Sequence, residues 1–272
     1  MAENLVPDTA SEALAWGGVL DGREVAASRL GEAVIVRLTE AILEGKLKPG
    51  DALPSEGRIA AAFGVSKPIA REALRDLAAM GVVQVAQGRI SRVRAIDSAP
   101  LARFFRFAVG STAKGIRDAV ELRRMLEPQI ALHAARRRDQ ADIAAIETIL
   151  VRMEASLGDV LRWIEADLAL HSQMASATHN NLVSLQMQGL EPIVREMMGR
   201  FNARGSRTPQ DWRELMDRHA LVARTIIAGD EQGAARAMQA HFVAADDAIG
   251  EIYGADAQPP DRQLSTEVPA LR

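Results

Sequence analysis

Cysteine is absent from all 272 residues. That excludes disulfide staples, thiolate metal sites, iron–sulfur clusters and a thiol nucleophile. No apolar run approaches the ~18 uninterrupted residues of a membrane-crossing helix, so a bilayer span is excluded. The opening residues lack the basic start and apolar core of a secretory leader, and a cytoplasmic location is expected. Aromatic residues amount to only 4%, and histidine to five residues in all. What remains, 48% hydrophobic and 25% charged, is a globular composition long enough for one large domain or two ordinary ones.

Charge of one sign is also in short supply, with a net value of −3, but it is unevenly placed. Arg29 to Ile96 carries eleven Lys/Arg against seven Asp/Glu, whereas the rest carries 22 against 29. A basic first third joined to an acidic remainder points to one end that meets a polyanion.

Residues 1–28 show no sustained period and are expected to form a flexible arm with at most a short helix. Between Leu30 and Leu43 the apolar positions Leu30, Val34, Leu38 and Ile42 recur at helical spacing, and Gly45 with Lys48-Pro49-Gly50-Asp51 stops that helix. Ser55 caps a short second helix with Ile59, Ala60 and Phe63 inward. Ser66 caps a third, running to about Met80 with Ile69, Ala73, Leu74 and Leu77 inward, and Gly81 ends it in the position that favours left-handed backbone. Val82, Val83 and Val85, then Ile90 and Val93, predict two short strands turning at Gln87-Gly88-Arg89. Three helices and a hairpin within 29–96 are the order of a winged helix-turn-helix.

Residues 97–114 read as a linker with room for a short helix near 100–109. From there to Tyr253 the pattern predicts helices at 115–138, 139–157, 160–178, 181–203, 209–228 and 230–252, with Pro128 bending or breaking the first. Residues 254–272, with Pro259-Pro260 and Pro269, read as a disordered tail. The expected fold class is therefore mainly α: a winged helix-turn-helix followed by an all-helical antiparallel bundle in 115–253.

Reading a duplex requires a helix in the major groove with basic side chains for phosphates and base edges. The third helix presents Ser66, Lys67 and Arg71 outward, with Arg75 one turn on. Arg89, Arg92 and Arg94 on the hairpin suit flanking backbone or a minor groove. A solvated basic face on a small helical domain is the plainer alternative.

The histidines fall on apolar stripes. On 160–178 the inward line is Val160, Ile164, Asp167, His171, Met174 and Thr178. On 209–228 it is Trp212, Leu215 or Met216, His219, Val222 or Ala223, and Ile226; on the last helix, Ala234, Met238, His241, Ala245 and Ile249. If the last two helices fold back on each other at Gly229-Asp230, His219 and His241 both lie about 15 Å from the turn, at one level. An unpartnered polar group there costs roughly 1–3 kcal/mol. A divalent cation held by Asp167, His171, His219 and His241 would satisfy all four, and without cysteine the choice narrows to nitrogen- and oxygen-loving metals, of which zinc is expected first and nickel or manganese as alternatives. Mutual hydrogen bonds and water would satisfy them too. His133 and His179 read as structural.

The stretch Pro49-Gly50-Asp51-Ala52-Leu53-Pro54-Ser55-Glu56, then Ala60, Phe63-Gly64-Val65-Ser66-Lys67 and Arg71-Glu72-Ala73-Leu74-Arg75-Asp76-Leu77, resembles the GntR family of bacterial transcription regulators over residues 30–95. The resemblance implies that Ser66, Lys67 and Arg71 contact an operator and that Gly88 and Arg89 sit at the wing tip. It departs from the family at Gly57, where an arginine is usual, at Lys67, which lacks the two-pronged guanidinium contact to guanine, and at Ile90 in place of a wing glycine. Asp167, Leu170-His171 and Asn180, then His219, Ile226, Gly229-Asp230, Ala234 and His241, together with Leu122-Arg123-Arg124-Met125-Leu126-Glu127, resemble the FCD domain of the FadR-like subfamily over about 115–250. That resemblance implies a homodimer on a palindromic double-stranded operator and a small organic acid (a sugar acid, hydroxy acid or dicarboxylate) bound beside the metal. Arg123 is the first candidate for its clamp and Arg124 the second, since adjacent positions cannot both face inward; Asn180, in the matching stretch, is expected to bind the effector too, and Arg195 and Arg200 are weaker options. A metal-dependent enzyme built on the same three histidines and aspartate, and a purely structural metal, are the competing readings.

Overall fold

The computed structural model describes residues 22–85, 90–110, 112–202 and 207–253. The chain divides into two compact units, residues 1–100 and 101–272. In the first, α1 (Gly22–Leu43), α2 (Glu56–Phe63) and α3 (Lys67–Ala79) are followed by β1 (Val83–Gln84) and β2 (Arg92–Val93). The strands pair antiparallel with Val83 opposite Val93, and a single bridge joins Ala52 to Arg92. Val34, Leu38, Leu53, Ile59, Ala70, Ala73, Leu74, Leu77, Val83 and Val93 form one core.

The local signals act as expected. Ser55 Oγ accepts from the Arg58 N–H at 3.3 Å and Ser66 Oγ from the Ile69 N–H at 3.5 Å, so each serine starts its helix by satisfying an orphan donor. Gly81 follows α3 at φ +82, and an added Cβ would lie 2.7 Å from Pro100 Cγ, which leaves only glycine suited to the turn.

One expectation is corrected here. Helix α1 begins at Gly22, inside the stretch read as a flexible arm, because Glu24, Ala26 and Ala27 favour helix and extend an existing nucleus without needing an apolar stripe. The two short strands expected span two residues each. The predicted turn at Gln87-Gly88-Arg89 lies outside the described residues.

In the second unit the short helix of the linker is realised as α4 (Ala99–Val109), leaving only a brief connection to α5 (Ala113–Arg137). There follow α6 (Gln140–Glu154), α7 (Val160–Ser176), α8 (Asn181–Asn202), α9 (Pro209–Ala228) and α10 (Glu231–Tyr253). Pro128 does not break α5, which runs through it while Glu127, Ile130, Ala131 and Ala134 stay buried on both sides of the missing N–H. The core is built chiefly by α5, α6, α7, α9 and α10 around Met153, Trp163, Leu170, Met174, Ile226 and Met238. Helix α10 packs along both α5 and α9, and α7 packs on α6 and α8. No helix among the described residues is long and apolar enough to cross a membrane.

Candidate functional site

Three helices of the bundle bring four titratable side chains to one place. Asp167 and His171 lie one turn apart on α7 and are both buried, as is His219 on α9. The hairpin between α9 and α10 turns at Gly229, whose φ of +75 is left-handed, and restarts where Asp230 Oδ1 accepts from the Gly233 N–H at 2.8 Å. Arms of ten residues before Gly229 and eleven after Asp230 set His219 beside His241, with ring centroids 4.5 Å apart. His171 lies 6.0 Å from His219 and 5.4 Å from His241. One ligand nitrogen from each of the three rings falls within 4.8 Å of the others, a spacing that one metal ion could span.

The hydrogen bonds show which ring atoms face inward. His219 Nδ1 lies 2.7 Å from the Leu215 carbonyl, and its Nε2 lies 2.6 Å from Asp167 Oδ1. Both partners are acceptors, so a proton must sit on the Nε2–Oδ1 line. His171 turns Nδ1 to Glu127 Oε2 and Nε2 toward Asp167, 3.9 Å from Oδ2. His241 has no such partner: its Nδ1 is buried without a hydrogen bond. Burial pushes the Asp167 carboxyl up, but the His219 hydrogen bond and the charges of His171 and His219 prevail and hold it well below the usual carboxylate range. For His241, burial first and then the neighbouring His219 and His171 push the imidazole well below its ordinary value, which keeps its lone pair available. An unpartnered buried nitrogen beside a buried carboxylate and two more imidazoles suits a nitrogen- and oxygen-loving divalent cation. A bound cation would replace the shared proton and give His241 its partner.

The sequence left Glu127 without a role, and the structure places it against the centre. It is fully buried and accepts from Arg123 Nε at 2.5 Å as well as from His171. Burial raises its carboxyl, but the charges of Arg123 and His171 and their hydrogen bonds bring it below the ordinary value. The signal was present in the four-residue spacing Arg123-x-x-x-Glu127, which places opposite charges on one helical face.

Of the two candidate clamps, Arg123 is buried and Arg124 exposed, as the one-inward rule for adjacent positions requires. Arg123 also lies 5.6 Å over the ring of Phe242, the neighbour of His241. Asn180 is not brought to the centre. It is exposed at the start of α8, where its Oδ1 accepts from the Leu182 N–H at 3.1 Å, because a short amide before a helix finds the orphan donors first. Arg195 pairs with Glu165 and, at 2.8 Å, with Glu191. The side chain of Arg200 lies outside the described residues. His133 has a buried, unpartnered Nδ1, and His179 pairs with Asp142 at 2.9 Å.

On the first unit, Ser66, Lys67, Arg71 and Arg75 all lie exposed on or beside the first turns of α3. Arg71 is held by Glu56 of α2, Nη2 to Oε2 at 2.9 Å with Nε between both oxygens. Arg75 pairs with Glu72 at 2.7 Å. Gly57 and Lys67 meet: a Cβ on the glycine would lie 3.6 Å from Lys67 Cε. Arg92 is tied to the Gly50 carbonyl at 2.7 Å and Arg94 to Asp97. Gly88 and Arg89 lie outside the described residues.

Comparison with known proteins matches residues 30–93 to the bacterial regulatory proteins of the gntR family and residues 118–244 to the FCD domain. The HTH-type transcriptional regulator LutR of Bacillus subtilis is 28% identical over 80% of this chain and all of its own length. The HTH-type transcriptional repressor NanR of Edwardsiella tarda is 31% identical over 64% of this chain and 68% of its own. Among solved structures, Streptococcus agalactiae GntR superposes with a TM-score of 0.63, covering 80% of this chain and 99% of that one at 22% identity.

Proposed function

The chain belongs to the gntR family of bacterial regulatory proteins, in the FadR-like branch that carries an FCD domain, and from that we propose a regulator controlled by a small organic acid bound beside a metal ion. Its relatives and its fold are those of transcription regulators and not of enzymes. Residues 29–96 form the DNA-binding domain and 115–253 the effector- and metal-binding domain. The observation that carries the metal reading is the convergence of the His171, His219 and His241 rings beside the buried Asp167, with the buried Nδ1 of His241 unpartnered.

Those four side chains hold a divalent ion, zinc foremost, with nickel or manganese as alternatives. When bound, the ion supplies Lewis-acid attraction for an oxygen of the effector. Arg123 is the clamp for the acid, since a guanidinium recognises a carboxylate in a two-pronged way and this one is already oriented by Glu127. A sugar acid, hydroxy acid or dicarboxylate fits that pairing of cation and arginine. The winged domains act as a homodimer on a palindromic operator, with Ser66, Lys67, Arg71 and Arg75 at the major groove and Gly88 and Arg89 at the wing tip. Control requires that the acid bind the DNA-competent and incompetent arrangements unequally.

The test joins two assays. Thermal-shift screening against sugar acids, hydroxy acids and dicarboxylates should give a hit that a chelator abolishes. Elemental analysis should find one divalent ion per chain, lost in His219→Ala. A hit insensitive to chelator, or full metal content in that variant, refutes the reading.

A further inference from the structure

We infer that Glu127 is a positioning residue that orients a metal ligand through one carboxylate oxygen and the anion clamp through the other. The inference rests on the metal reading above and adds a residue that neither the sequence pattern nor the family match assigns to the centre.

Glu127 is completely buried on α5, next to Pro128, at a point where a carboxylate has no solvent to turn to. It is retained there by two donors from different elements. Oε2 takes Nδ1 of His171 on α7, and Oε1 takes Nε of Arg123, one turn back on α5. An ionised carboxylate only accepts, so a hydrogen of the His171 ring must lie on Nδ1, which leaves Nε2 as the nitrogen a metal would take. That nitrogen is the one on the Asp167 side.

His219 achieves the same orientation with the Leu215 carbonyl on its Nδ1. The two rings therefore share a design but differ in acceptor, a neutral carbonyl for one and a carboxylate for the other. A carboxylate on the far nitrogen makes an imidazole the stronger donor to a metal, and such outer partners are worth about 10–100-fold in metal affinity.

The second oxygen has a separate consequence. With Nε held, the guanidinium is fixed between α5 and Phe242 of α10. Its charge is cancelled locally by Glu127, so the clamp can stand beside a divalent cation without repelling it. Metal and acid thus depend on one carboxylate.

The single variant Glu127→Gln strands the charge of Arg123 in the interior, so the decisive arm is the paired variant Arg123→Met/Glu127→Gln, in which the charge change cancels. Zn2+ affinity of the full chain is measured by competition with a chromogenic chelator. The paired variant, with a metal-free melting temperature close to the parent's, should bind Zn2+ about 10–100-fold more weakly. Parent-like affinity would overturn the inference and leave Glu127 as a counter-ion for Arg123 alone. A second measurement needs no variant: long-range 15N–1H correlation spectra of the metal-free parent should show His171 with its hydrogen on Nδ1, and the opposite tautomer would overturn the inference by itself. Failure of the metal reading looks different, because the parent would then bind no Zn2+, or His219→Ala would bind it undiminished.

Discussion

The two histidines that face each other across the α9–α10 hairpin should respond oppositely to the same substitution in metal-free protein. His219 carries the hydrogen bond to Asp167 at 2.6 Å, while the buried Nδ1 of His241 carries none. Phenylalanine is close in shape and removes only the polar atoms. In His219→Phe the buried Asp167 loses its principal partner, and breaking a buried charge pair on one side costs about 3–5 kcal/mol. In His241→Phe an unsatisfied nitrogen disappears, which relieves about 1–3 kcal/mol of desolvation cost against whatever the slightly larger ring displaces. The net should be near zero or stabilising. With the metal present at 100 times its dissociation constant, each variant also forgoes the roughly 2.7 kcal/mol that binding lends the parent. Urea denaturation of the chelated and the metal-loaded proteins separates the two effects. Equal destabilisation of the two chelated variants would refute the reading of His241 as a donor held open for a cation.

Other expectations follow from the same geometry. The chelated protein should lose stability as pH falls below the ordinary imidazole value of about 6.5, at up to about 1.4 kcal/mol per unit, because burial holds folded His241 neutral while the unfolded chain takes up a proton. That slope should vanish in His241→Phe, and the depressed carboxyls of Asp167 and Glu127 should add a second loss only below about pH 4. Arg71→Ala should abolish gel-shift binding to a duplex recovered by in vitro selection while leaving the melting of the helical domain unchanged, because its pair with Glu56 lies at the solvent surface where such pairs add little stability. Gly229→Ala should lower the melting temperature, since the left-handed backbone costs about 1–2 kcal/mol and the new Cβ would lie 2.4 Å from Arg138 Nη2. An unchanged melting temperature there would show that the hairpin turn tolerates a shift.

Much of this protein is local in origin and was determined by the sequence alone. Ser55, Ser66, Asp159 and Thr208 start helices because each offers an oxygen to donors two or three residues on, and Gly229 stops one because of its own backbone freedom. The inward lines through Asp167, His171 and His219 follow from helical period, and the common level of His219 and His241 from nearly equal counts on either side of one turn. Tertiary structure decided what depends on a partner from elsewhere in the chain. Glu127 became part of the centre because α5 packs where its carboxylate meets α7, and no spacing within α5 names that neighbour. Arg71 acquired Glu56 across fifteen residues, and Arg92 the Gly50 carbonyl across 42. Asn180, close in sequence to the helix of Asp167 and His171, was drawn to the nearer backbone donors of α8 instead. Periodicity states which way a side chain points, and only packing supplies what it points at.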